Sequence, residues 1–215
     1  MKSLLLVALS FPIFAADEAP LIVNHDVRLT VSALPRPYDV TITNTQTGDV
    51  VHGTGSLDSG AWVALDYQAS LHHEGPVCFL IGAGLDFVGG SLTDDTTKAD
   101  VSGFGPHIAI GASVRPVGMF SIEGTLEGGF GAADSTIKDN SQSLDVSSNS
   151  GSYGMFAALV RGVVTFDPGF QLFAQFGYAA FAFKTSYNAT ATTFPVDQDS
   201  RVRGVTYGLG AGWRF

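Results

Sequence analysis

Hydrophobic and polar side chains alternate with a period of two through a series of segments about ten residues long, the pattern of strands with two unlike faces. "AWVALDYQASL" sets Val63, Leu65, Tyr67, Ala69 and Leu71 against Trp62, Ala64, Asp66, Gln68 and Ser70. The same alternation runs through "VCFLIGAGLDF", "FGPHIAIGASVR", "FSIEGTLEGGF", "GMFAALVRGVVTF", "FQLFAQFGY" and the final "GVTYGLGAGWRF". After "FQLFAQFGY" the stretch "AAFAF" falls out of phase, and a bulge near Ala179 would restore it. Upstream, "VNHDVRLTVSA" supplies a first strand over 22–33, giving eight. "PYDVTITN" also alternates, so 38–45 competes as the true first strand or forms an extension above the others. Pro35 and Pro37 punctuate the two, and the eight-strand count takes 34–60 as a long loop containing a hairpin.

The connections alternate in length. "HHEGP", "RPVG" and "DPG" are short and rich in turn residues, whereas 91–102, 133–152 and 185–203 are long and polar. Barrels of the bacterial outer membrane show this asymmetry, with short periplasmic turns and longer external loops.

Composition sharpens the choice of medium. Hydrophobic residues make up 45% of the chain, charged residues 14%, and there are 26 glycines, whereas soluble domains carry about a quarter charged residues. The opening "MKSLLLVALSFPIFAA" has the layout of a signal peptide over 1–16, leaving 17–215 as the barrel. Beyond it no run of about 18 apolar residues offers a transmembrane helix. A soluble lipocalin-like or sandwich fold would give the same alternation with its apolar side inward. Against that stand polar positions rich in Gly, Ser, Thr and Gln, and aromatic residues gathered near strand ends. Phe120, Phe166, Phe170, Trp213 and Phe215 fall at one level and Phe87, Phe104, Phe130 and Tyr207 at the other. The net charge of -9 speaks against a nucleic-acid partner. Cys78 is the one cysteine, which excludes an intramolecular disulfide.

The closing "GLGAGWRF" resembles the assembly signal of outer-membrane β-barrels in its terminal Phe215, Trp213 two before it and Gly210 further in. Gly208 stands where that pattern is usually polar. The chain as a whole resembles the OmpA/OmpX-like family of eight-stranded outer-membrane barrels. The resemblance implies an up-and-down antiparallel barrel in the bacterial outer membrane, inserted by the outer-membrane assembly machinery. Its expected partners are outer-membrane lipid, lipopolysaccharide and an unidentified surface molecule.

Eight strands leave an interior just wide enough for side chains. The polar faces would place Asp26, Arg28, Asp66, Asp86, His107, Glu123, Glu127, Arg161 and Arg214 there. An arginine at the lipid midplane costs about 2–4 kcal/mol, which fixes the face of Arg161. Buried charges must pair, so Asp66, Glu123, Glu127 and Arg161 are expected to form an ion-pair network, with Arg161 joined to Glu123 and Glu127 as a plug. A narrow channel for ions or small solutes is the alternative. No catalytic, cofactor or metal site is expected. His52 with Ser56, Asp58 or Ser59 is the one outer set that could mimic a catalytic one, and the pair His72–His73 offers too few ligands for a metal.

Overall fold

The computed structural model describes residues 22–72, 76–94, 97–139, 144–148, 150–188 and 195–215. The expected leader, 1–16, lies outside these. Among the described residues eleven strands form a single antiparallel sheet. In chain order they are β1 (Ile22–Ala33), β2 (Pro37–Asn44), β3 (Val50–Ser56), β4 (Ser59–His72), β5 (Val77–Asp94) and β6 (Thr97–Val117). They continue with β7 (Phe120–Asp139), β8 (Leu144–Ser147), β9 (Ser150–Thr165), β10 (Phe170–Tyr187) and β11 (Val196–Arg214). β1 pairs with both β4 and β11, which closes the sheet into a ring of β1, β4, β5, β6, β7, β9, β10 and β11.

The three remaining strands extend staves of that ring. Ser32 faces Gly208 on β11, and Tyr38 faces Val202 on the same strand in the same register. β1 and β2 are therefore one line interrupted at Leu34–Arg36. Pro35 lies within the break and Pro37 opens β2, and neither has an N–H for the neighbouring strand. Their return partners, β4 and β3, follow each other with a one-residue offset at Leu57–Asp58. β8 continues β9 along β7 with a similar one-residue offset. The barrel thus has eight staves. Both candidates for the first strand belong to the first stave, 22–33 within the ring and 38–45 above it, and 34–60 holds the expected hairpin.

The long connections are far more regular than their polarity suggested. Ser91 pairs with Asp100 and Asp94 with Thr97, so the β5–β6 ladder occupies most of 91–102. β7 reaches Asp139 inside 133–152, and β10 and β11 reach into 185–203. Polar side chains marked solvent here, and the backbone pairing continued through it.

Outward positions are apolar over a band of about ten residues on each stave: Val77 to Phe87 on β5, Phe104 to Val114 on β6 and Val205 to Tyr207, Leu209, Trp213 and Phe215 on β11. Beyond the band outward positions turn charged, as at Arg203 and Arg201 after Val205. Phe215 is 66% exposed, stacks on His25 and exchanges backbone hydrogen bonds with it. Phe87 and Phe104 meet with tilted rings at one rim of the band, and Phe166 and Phe170 stack at the other.

The phase change at "AAFAF" has a different cause from the bulge expected near Ala179. β10 keeps one register against both neighbours from Gln171 to Ser186. What reverses is the polarity of the faces. Inward positions are Gln171 and Gln175 low in the barrel and Phe181 and Phe183 high in it, both buried. Above the hydrocarbon band the outer face meets water, so the lumen takes over as the apolar side.

Candidate functional site

The alternation brings nine ionisable side chains into the lumen, where they form three tiers. The lowest centres on Arg28 of β1. Its guanidinium donates to both oxygens of Glu123 at 2.6 and 2.9 Å, to Asp26 at 2.9 Å and to Gln171 at 3.0 Å. Arg214 closes the tier with two hydrogen bonds to Asp26 at 2.8 and 3.0 Å. Fork-to-fork geometry of this kind gives the strong, oriented form of the pair, and buried charges persist only when their remaining hydrogen-bonding capacity is also met.

The middle tier is built on Arg161 of β9. It binds Glu127, and its Nε donates to Gln175 at 2.8 Å. Gln175 passes the connection on to Ser32 at 2.8 Å, and Thr125 donates to Glu127 at 3.1 Å. Phe173 lies between the two tiers, its ring centroid 5.5 Å from the Arg28 guanidinium and 6.0 Å from that of Arg161. Both distances are in the range of cation–π attraction.

The upper tier surrounds His107 of β6, 2.8 Å from Asp66 and 3.1 Å from Asp86. Asp86 accepts a hydrogen bond from Trp62 Nε1 at 2.7 Å and a longer one, 3.5 Å, from Tyr153. Above it the lumen is apolar. Trp62 and Phe181 meet edge to face, Tyr153 and Phe183 stack, and Val88, Val101 and Val202 fill in around them, all buried. Higher still, Tyr38, Gln198 and Ser200 form a small hydrogen-bonded group.

Glycines on the inner face of β11 make the lower packing possible. A Cβ on Gly210 would overlap the Cζ–Cε2 edge of the Phe173 ring, one on Gly208 would strike Ser32 Oγ, and one on Gly212 would stand 2.8 Å from Arg28 Cγ. Gly208, a departure from the usual assembly signal, is the residue that leaves room for Ser32.

The expected network of Asp66, Glu123, Glu127 and Arg161 is thus split between tiers. Arg161 takes Glu127 as expected. Glu123 is its cross-strand neighbour, yet turns to Arg28, whose fork offers two donors, and Asp66 goes to His107. Arg28, Asp86 and His107 were legible only as inward charges, since their partners lie on strands distant in sequence. Phe173 carried one signal, an aromatic residue on a polar face with Gly210 opposite it on the next strand.

Toward the long-connection end, His52 bonds Thr41 at 3.0 Å, and Asp58 accepts the Thr93 amide at 2.6 Å. Ser56 stands four residues from His52 on the extended β3, about 13 Å at strand rise. The side chain of His72 and all of His73 lie outside the described residues.

No protein-family model and no curated protein matches the chain. Among solved structures it is similar to the outer-membrane protease OmpT of Escherichia coli, at 9% identity and a TM-score of 0.53, over 89% of this chain and 97% of that one. OprG of Pseudomonas aeruginosa is similar at 13% identity and a TM-score of 0.47, over 89% and 95%. Ail of Yersinia pestis, solved with the heparin analogue sucrose octasulfate, gives 13% and 0.43, over 90% and 99%. At such identities the OmpT likeness bears on the fold alone. The chain has the fold of bacterial outer-membrane barrels, and its exterior is the surface that fold presents to hydrocarbon.

Proposed function

We propose that the protein is an integral, non-conducting barrel of the bacterial outer membrane, its short turns facing the periplasm and its working surface at the far end. The observation that carries this reading is the apolar stopper in the upper lumen. Trp62, Phe181 and Phe183 are buried to 2% exposure or less directly above the Asp86–His107 tier. An ion crossing that layer would shed water with no polar group to replace it, a cost of several kcal/mol. Arg28–Glu123 and Arg161–Glu127 sustain the lower seal. The staves rise past the apolar band on one side, where the β2–β3 hairpin pairs with β11 and carries Val50 and Val51 half-exposed or more. A rigid barrel presenting such a rim suits recognition at the cell surface. Insertion through the "GLGAGWRF" segment by the outer-membrane assembly machinery, and contact with lipopolysaccharide, belong to the same reading.

The test is planar-bilayer recording of the refolded barrel. Silence is expected for the parent protein, and openings for a Trp62→Ala/Phe181→Ala/Phe183→Ala variant. Steady conductance from the parent would replace this reading with the narrow channel.

A further inference from the structure

At the end of the barrel away from the short turns the sheet has two free edges among the described residues. β8 pairs with β7 alone, and β3 pairs with β2 alone. β8 has the features that keep an edge from pairing further. It is four residues long, and its Asp145 stands 3.2 Å from Lys138. β3, "VVHGTGS", is seven residues long and has no charge and no proline, with Val50 and Val51 half-exposed or more.

The backbone of that edge can be followed residue by residue. The Asn44 N–H donates to Asp49 at one end of the β2–β3 ladder, and the Leu57 N–H donates to Arg36 at the other. The strands keep one antiparallel register between these bonds, so hydrogen-bonded pairs recur at every second residue. Val51, Gly53 and Gly55 therefore bond to β2, while Val50, His52 and Thr54 turn their N–H and C=O groups away from it. Lower down, the same edge is taken by β5, where the Asp58 N–H donates to the Ser91 carbonyl. The Asp58 carboxylate then accepts the Thr93 amide at 2.6 Å and ends that pairing. β5 stops soon after, at Asp94, whereas β3 continues to Val50.

An extended polypeptide is the occupant that matches donors and acceptors at this spacing. A second copy fits poorly. Copies in one membrane stand with the same end outward, so a two-fold axis along the membrane normal would set like edges together, N–H against N–H. On the inward face of β3, Gly53 and Gly55 carry no side chain, and Leu92 reaches to 3.3 Å from where a Gly55 Cβ would stand. That face is a shallow apolar seat between Val51 and Leu92. Asp49 and Asp58 flank the strand at its two ends.

We propose that β3 takes up an extended segment of another protein as a further antiparallel strand, one with β-branched residues at alternate positions and basic residues at its ends. Its backbone meets the free groups of Val50, His52 and Thr54, its apolar side chains lie between Val51 and Leu92, and its basic ends meet Asp49 and Asp58. The proposal rests on the reading above, which places this rim outside the membrane.

The refolded barrel in bicelles is titrated with a labelled synthetic peptide, Lys-Thr-Val-Thr-Val-Thr-Lys, and followed by anisotropy and by amide exchange. Saturable micromolar binding is expected, with slowed exchange at Val50, His52 and Thr54. Two changes remove backbone bonds and leave the rest in place. One is N-methylation of alternate peptide amides, made in both phases; the other is Thr54→Pro, which deletes an N–H that β2 does not use. One methylation phase and Thr54→Pro should each weaken binding about tenfold. A peptide ending in glutamates should bind several-fold more weakly than the lysine one. No saturable binding below about 1 mM, affinity that survives both methylation phases and Thr54→Pro, or equal affinity for the two end charges would overturn the proposal. So would amide protection at Val50, His52 and Thr54 that grows with barrel concentration in the absence of peptide, the mark of a second copy on the edge. If Thr54→Pro fails to assemble, the methylated peptides decide between the same outcomes. Bilayer recording separates the two proposals, because conductance refutes the seal and leaves the titration readable, whereas silence without peptide binding refutes strand addition alone.

Discussion

Phe173 shows how single residues settle the interior. It is an aromatic ring on a polar face, accommodated because Gly210 opposite has no side chain, and flanked by the two guanidiniums that organise the lower tiers. Removing it leaves a cavity between two buried charges, and Phe173→Ala should cost about 3–5 kcal/mol, read as a lower urea midpoint of the folded barrel. Gly210→Val should fail to give the compact, heat-modifiable species on a gel, and combining it with Phe173→Ala should restore part of that yield. Arg161→Ala strands Glu127 beside Thr125 alone, a loss of about 3–5 kcal/mol. Unchanged refolding yield and heat resistance in that variant would refute the ion-paired plug. These residues were partly legible beforehand. The face of Arg161 followed from the cost of placing it in lipid. The choice of Glu127 over Glu123 did not, because both lie within reach on β7 and the competing Arg28 sits 95 residues away in sequence from Glu123.

Among elements, each outward position is decided by its depth in the band. Leu126 of β7 is half-exposed amid apolar neighbours, and Asp134 lies eight residues on, past the band. Leu126→Arg should destabilise the barrel in lipid by about 2–4 kcal/mol, while Asp134→Arg should leave its unfolding midpoint within experimental scatter. The outer end of the β5–β6 ladder is held differently. The Ser91 hydroxyl donates to Asp100, and Lys98 stands 3.0 Å from the same carboxylate; together they keep its pKa below the ordinary aspartate value. A carboxyl lowered in the folded state stabilises above its unfolded pKa and loses that contribution as the pH falls through the folded one. Amide protection factors at Ser91–Thr93 and Lys98–Asp100 should therefore fall only below about pH 3.9, and Ser91→Ala should shrink that fall. The same ladder explains why 91–102 read as loop. Polarity reports what a side chain faces, whereas strand pairing depends on the backbone alone.

At the scale of the whole molecule, the barrel is two environments stacked on one axis. Within the band the exterior is apolar and the lumen polar; beyond it the exterior is charged and the lumen holds Trp62, Phe181 and Phe183. Heat-modifiable migration in detergent is the expected mark of such a closed ring, together with recovery in the membrane fraction. Recovery as a soluble particle would contradict the exterior described here. The sequence by itself determined the number of staves, the face each side chain takes within the apolar band and the medium outside, because a two-residue period and the cost of charge in hydrocarbon are local properties. Tertiary structure alone decided that β1 and β2 form one stave, that "AAFAF" marks an inversion, and which carboxylate each arginine holds. Those outcomes depend on ring closure, which brings strands from the two ends of the chain side by side and makes distant residues compete for the same few ångströms of lumen.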